Sequence, residues 1–204
     1  MRVVEKIEKS KNKNIFLIMI GDGRTEIKIL PLIFERYNGK NLISFCPWSP
    51  TLQPGAGFGI LRALPLLSEG LQNFIIILDK EHLNNKKLSK IIKKKLEEIN
   101  AIYENGFIKN LGEGALKVQC KIVENEINLF IAVNGSQKRI EECLSKLIQF
   151  ETKIRVRSSK EIWKDIKNNN LNINKIIENA AIENIKKSFP NLNAILELIE
   201  KNDH

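Results

Sequence analysis

The chain has 204 residues, 43% of them hydrophobic and 28% charged, enough apolar material for one well-filled core. Its 33 Lys and Arg against 24 Asp and Glu leave a net charge of +9, which fits a polyanionic partner such as nucleic acid and equally a merely Lys-, Asn- and Ile-rich composition. No apolar run reaches the ~20 residues of a membrane span, residues 1–14 are charged throughout, and Cys46, Cys120 and Cys143 form no metal-binding pair; these features predict a cytoplasmic, reduced protein without a zinc site.

Along the chain, Ile15 to Ile20 is a continuous apolar run ending at Gly21, the pattern of a strand buried on both faces. Helical spacing follows at Ile27, Leu30, Ile33 and Phe34, with Gly39 as a terminator. A short strand is predicted in "LISFCPW", then a Pro- and Gly-rich loop from Ser49 to Gly59. "ILRALPLLSEGLQ" reads as a helix kinked or delayed by Pro65. Phe74 to Leu78 is a third buried strand, ending in Asp79-Lys80-Glu81. Leu88, Ile91, Ile92, Leu96 and Ile99 then mark one face of a helix whose other face is lysine.

The pattern changes in "LKVQCKIVENEINLFIAVNG", which predicts an antiparallel hairpin turning at residues 124–126, followed by an amphipathic helix in "SQKRIEECLSKLI". "KIRVR" reads as an edge strand, and Ser158 with Glu161 as a capping box opening a helical C-terminal stretch. The expected fold is α/β: an open, mainly parallel sheet with helices on both faces over residues 1–157, carrying the hairpin, and a helical extension over residues 158–204 packed on it.

In open sheets of this kind ligands bind at the carboxyl ends of the strands, and two buried strands end in acidic residues. Asp22 and Glu26 are four apart, spanning the turn and the first turn of a helix. Asp79 and Glu81 alternate on what reads as extended chain, so both would point one way. Four carboxylates in one crevice repel each other unless a cation sits among them, and hard divalent ions take such oxygen ligands. His82 is either one more ligand or simply an exposed residue. Trp48 and Trp163 read as core or edge packing. Neither the P-loop spacing nor the three-glycine dinucleotide fingerprint occurs in "GDGRTE".

"IMIGDGRTE" resembles the first motif of the Toprim fold, and "IIILDKE" its second, an Asp-x-Asp after a strand; the resemblance covers about residues 14–135 and is greatest to the overcoming-lysogenization-defect nuclease branch and small Toprim-like proteins. Asp22 stands where that family usually has Glu, and Glu81 where it has Asp. Glu141, Glu142 and Lys138 are loose matches to a later acidic residue and a lysine of the nuclease branch. The resemblance implies phosphodiester cleavage assisted by Mg²⁺ or Mn²⁺, with Asp79 and Glu81 on one ion and Asp22 and Glu26 holding or positioning a second, or Asp22 acting as the acid/base. Arg24, Lys80, Lys86, Lys87 and Lys90 are the candidates to face the phosphates of DNA or RNA, a solvated helix face explaining the lysines between 86 and 95 equally well, and an ATPase is the candidate protein partner. The alternative is a non-catalytic nucleic-acid- or nucleotide-binding subunit of a defence or repair complex.

Overall fold

A computed structural model describes residues 1–4, 15–20, 24–45, 57–83, 86–135 and 137–201. Its centre is a seven-stranded sheet of β1 (Arg2–Val3), β2 (Ile15–Ile20), β3 (Leu42–Phe45), β4 (Asn73–Asp79), β5 (Ile108–Gly112), β6 (Ala115–Ile122) and β7 (Asn125–Asn134). The spatial order is β1-β3-β2-β4-β7-β6-β5. Strands β1, β3, β2, β4 and β7 run parallel, and β6 and β5 add antiparallel ribbons at one edge. The α/β class read from the sequence is the one found.

Side chains alternate between two cores, as the period-2 geometry of strands requires. One face carries Phe16, Ile18, Ile75, Ile77, Phe130 and Ala132; it is covered by α1 (Arg24–Glu35), α4 (Ile140–Thr152), α5 (Ile162–Asn168), α6 (Ile173–Asn179), α7 (Ile182–Ser188) and α8 (Pro190–Lys201). The other face carries Leu17, Met19, Phe74, Ile76 and Ile131; it is covered by α2 (Leu64–Leu67) and α3 (Leu88–Glu98). Burial on both faces is why β2 and β4 read as unbroken apolar runs. The helices after residue 157 share one apolar cluster with α1, α4 and the sheet, through Ile162, Ile177, Ile185, Leu192 and Ile199. Among the described residues no helix is long and apolar enough to cross a membrane.

Several local expectations differ from the structure. "KIRVR" forms no strand: Val156 uses its carbonyl to accept from Ser145 Oγ, and Arg157 gives its backbone N–H to Asp165, so both are satisfied without a sheet partner. Helix α5 begins only at Ile162, after a cap residue, Glu161, that makes no side-chain capping bond, so the box expected at Ser158 is not made. The segment before α2 is a 3₁₀ helix over Gly57–Ala63, and the α-helix around Pro65 lasts a single turn. The hairpin turns one residue earlier than expected, between Ile122 and Asn125. Strand β5, polar and short, has no alternation to reveal it. Most of the Ser49–Gly59 loop, together with Cys46 and Trp48, lies outside the described residues. Cys120 and Cys143 are buried, and burial pushes both thiols up to about 11, as small core side chains rather than nucleophiles.

Candidate metal centre at the carboxyl edge of the sheet

Because β2, β4 and β7 are adjacent and parallel, their carboxyl ends lie along one edge of the sheet. Each strand hands over there to a helical segment: β2 to α1, β4 to a 3₁₀ turn over Lys80–Leu83, and β7 to α4. Three segment starts therefore meet where Asp79 ends β4.

Asp79 continues the face of Ile75 and Ile77, toward α1 and α4. Its Oδ1 accepts a hydrogen bond of 2.9 Å from the backbone N–H of Ile140, the first residue of α4, one of the donors a helix start leaves unused. That bond favours the carboxylate, but it is outweighed. Burial, followed by the charge of Glu26 and with smaller contributions from Glu141 and Glu81, raises the Asp79 pKa to about 7. Asp79 thus changes charge near neutrality, and several acidic groups bear on it at once.

Those groups come from three elements. Glu26, in the first turn of α1, is only 9% exposed. Glu141, in the first turn of α4, is 7% exposed and accepts a 2.9 Å hydrogen bond from Thr25 Oγ1. The Thr25 hydroxyl in turn accepts from Trp163 Nε1 at 3.1 Å, and the Lys28 ammonium lies 4.2 Å from the centre of the Trp163 ring. Trp163 is thus more than packing: its indole N–H orients the hydroxyl that holds Glu141. We expect Thr25→Val to leave a buried carboxylate oxygen and an indole N–H unmatched, at a cost of about 1–3 kcal/mol in urea denaturation. An unchanged midpoint would show that the chain Trp163–Thr25–Glu141 contributes nothing to stability.

Glu81 does not alternate with Asp79 on extended chain as expected, because β4 stops at Asp79 and Glu81 lies in the 3₁₀ turn. The turn nevertheless brings the carboxylates together: ligand atoms of Asp79, Glu81 and His82 all lie within 4.8 Å of one another. Glu81 is fixed from both ends. Its backbone N–H donates to Lys138 O at 3.0 Å, and its Oε2 accepts from Arg139 Nε at 3.0 Å.

The loop supplying Lys138 and Arg139 has its own anchor. Glu142 accepts the backbone N–H groups of Gln137, Lys138 and Arg139 at 2.8, 2.8 and 3.4 Å, using donors at the α4 start that Asp79 does not. Gly135 turns the chain there with φ of +86°, and a Cβ would meet the Arg139 backbone at 2.5 Å, so only glycine fits.

Asp22 lies outside the described residues, and Arg24 opens α1 with no described side-chain position. Glu26, Asp79 and Glu81 are brought to the same strand edge. Lys80 is exposed beside Asp79; Lys86, Lys87 and Lys90 are grouped with His82, Lys94 and Lys95 around a separate shallow depression between the 3₁₀ turn and α3. Glu141, Arg139 and Thr25 are the residues that sequence reasoning placed loosely or missed. The usable signal was the third strand end: β7 also finishes a buried run at a turn, Asn134-Gly135, and opens a helix with Glu141.

The donor set of two carboxylates and an imidazole suits a divalent cation: oxygen ligands accommodate Mg²⁺ or Mn²⁺, and the imidazole favours the first-row ion. No family model, curated protein or solved structure matches this chain.

Proposed function

We propose that the carboxyl edge of the sheet is a divalent-cation site and that the protein is a metal-dependent phosphodiester hydrolase acting on nucleic acid, of the Toprim type. The supporting observation is the convergence of Asp79, Glu81 and His82 within 4.8 Å, with Glu26 and Glu141 close enough to raise the Asp79 pKa. Such a concentration of negative charge costs stability on its own and is relieved by a bound cation. Asp79, Glu81 and His82 would hold the ion, which when bound supplies charge stabilisation for a phosphoryl oxygen. Glu26, buried beside Asp79, adds negative charge to the site and would serve a second ion or proton transfer. Arg139 keeps Glu81 oriented. The lysines around His82 offer a basic face next to the site for the phosphate backbone.

The test is direct. End-labelled single- and double-stranded DNA and RNA are incubated with Mg²⁺ or Mn²⁺, with and without EDTA. Cleavage of at least one substrate that EDTA abolishes is expected. Salt-sensitive binding without cleavage under either metal would instead favour the non-catalytic binding subunit.

A further inference from the structure

A pocket of about 630 Å³ opens beside the acidic cluster, where the ends of β4 and β7, the β5–β6 turn, α4 and the α7–α8 junction meet. Its volume falls within the ~300–1,000 Å³ typical of sites that enclose a small organic ligand. It adjoins the proposed metal centre: Lys80 lines it and separates Asp79 from Glu81 in the chain, and Asn134, also lining it, is the register partner of Asp79.

Two lining residues carry polar atoms closed to bulk water. Among the described residues neither Asn134 Nδ2 nor Ser188 Oγ has a hydrogen-bond partner, and each residue is only 2% exposed. They come from two elements, the end of β7 and the end of α7. A buried donor left unmatched costs about 1–3 kcal/mol, so a ligand acceptor toward which the Asn134 amide and the Ser188 hydroxyl rotate would relieve that cost. Asn191 Nδ2 donates to Val133 O at 2.7 Å, and Gly114 lies so close that a Cβ there would stand 2.4 Å from the same nitrogen.

Charge narrows the ligand. The charged lining side chains are two lysines, Lys80 and Lys146, and two glutamates, Glu113 and Glu142, so the formal charge of the lining is zero. Glu142 is already occupied by three backbone N–H groups, and Lys146 donates to Lys187 O. The interior therefore suits an uncharged, acceptor-bearing group, with an anionic group beside the exposed Lys80. A nucleoside attached to a phosphate has that distribution.

We propose that the pocket is the subsite for one unstacked nucleoside of the substrate, with Asn134 and Ser188 donating to it and its phosphate directed to Lys80 and the acidic cluster. This rests on the phosphodiesterase reading above and deepens it. A base in an intact duplex reaches such a pocket only by flipping out, so single strands, ends or small nucleotides are the preferred substrates.

The four ribonucleoside 5′-monophosphates and inorganic phosphate are titrated into the full chain by calorimetry in EDTA, alongside Mn²⁺-dependent cleavage assays. At least one monophosphate is expected to bind one to one and phosphate alone not to. Asn134→Ala, and independently Ala194→Leu, which fills the pocket from α8, should each weaken that binding about 10-fold or more. Cleavage with no monophosphate binding, or binding unchanged in both variants, would overturn the pocket assignment alone. Monophosphate binding that both variants weaken, with no cleavage under any metal, would uphold a nucleotide pocket and overturn the hydrolase reading.

Discussion

Replacing Asp79 by Asn should make the metal-free protein more stable, and by an amount that depends on pH. The Asp79 pKa is raised from 3.8 to about 7, so the folded state holds this proton more tightly than the unfolded chain does. The stability this contributes is fully present below pH 3.8, declines as pH rises and is lost once pH passes 7. The amide introduced by Asp79→Asn keeps an oxygen to accept the Ile140 N–H but carries no charge for Glu26 and Glu141 to oppose. The advantage of Asp79→Asn over the native chain should therefore widen between about pH 4 and pH 7 and then level off. At about 1.4 kcal/mol per pK unit its plateau is about 2–4 kcal/mol, the upper figure applying to full transfer of the shift. Urea titrations at pH 4.5, 6 and 8 in EDTA measure it. Saturating Mn²⁺ at pH 8 should narrow the gap by stabilising only the native protein. A gap that is constant with pH would mean that Asp79 is an ordinary exposed carboxylate.

The second large effect is on turnover. Asp79→Ala removes the carboxylate most closely coupled to its neighbours and should lower Mn²⁺-dependent cleavage about 10³-fold or more, because metal-ion stabilisation of the reacting phosphate contributes several kcal/mol. Arg139→Ala, which only releases an exposed Glu81 from its ion pair, should cost far less, about 10- to 100-fold. Initial rates on the substrate cleaved fastest by the native protein decide between them. Equal losses in the two variants would place the chemistry nearer Glu81 and Arg139 than Asp79.

How much of this was legible beforehand depended on periodicity. The unbroken apolar runs at Ile15–Ile20 and Phe74–Leu78 mark strands buried on both faces, and these are the two neighbours at the sheet centre. From them the strand-end rule located Glu26 and Asp79. What periodicity could not give was local geometry. Glu81 reaches its neighbours through a 3₁₀ turn rather than by strand alternation. "KIRVR" alternates like a strand, yet Ser145 and Asp165 satisfy its backbone instead. Glu141 joins the cluster because β7 lies parallel beside β4, a pairing between segments about 55 residues apart that no local pattern encodes. The Thr25–Trp163 contact spans 138 positions and is set by how α5 packs on α1.

Titration of the native protein with Mn²⁺ at pH 7.5, following loss of the free-ion electron paramagnetic resonance signal, decides whether Asp79, Glu81 and His82 form the proposed cation site. One saturable site per chain is expected, lost in Asp79→Ala, weakened in His82→Ala and unchanged in Lys86→Ala, an exposed residue outside the ligand set. Non-saturating uptake, or a saturable site that survives Asp79→Ala with undiminished affinity, would contradict it.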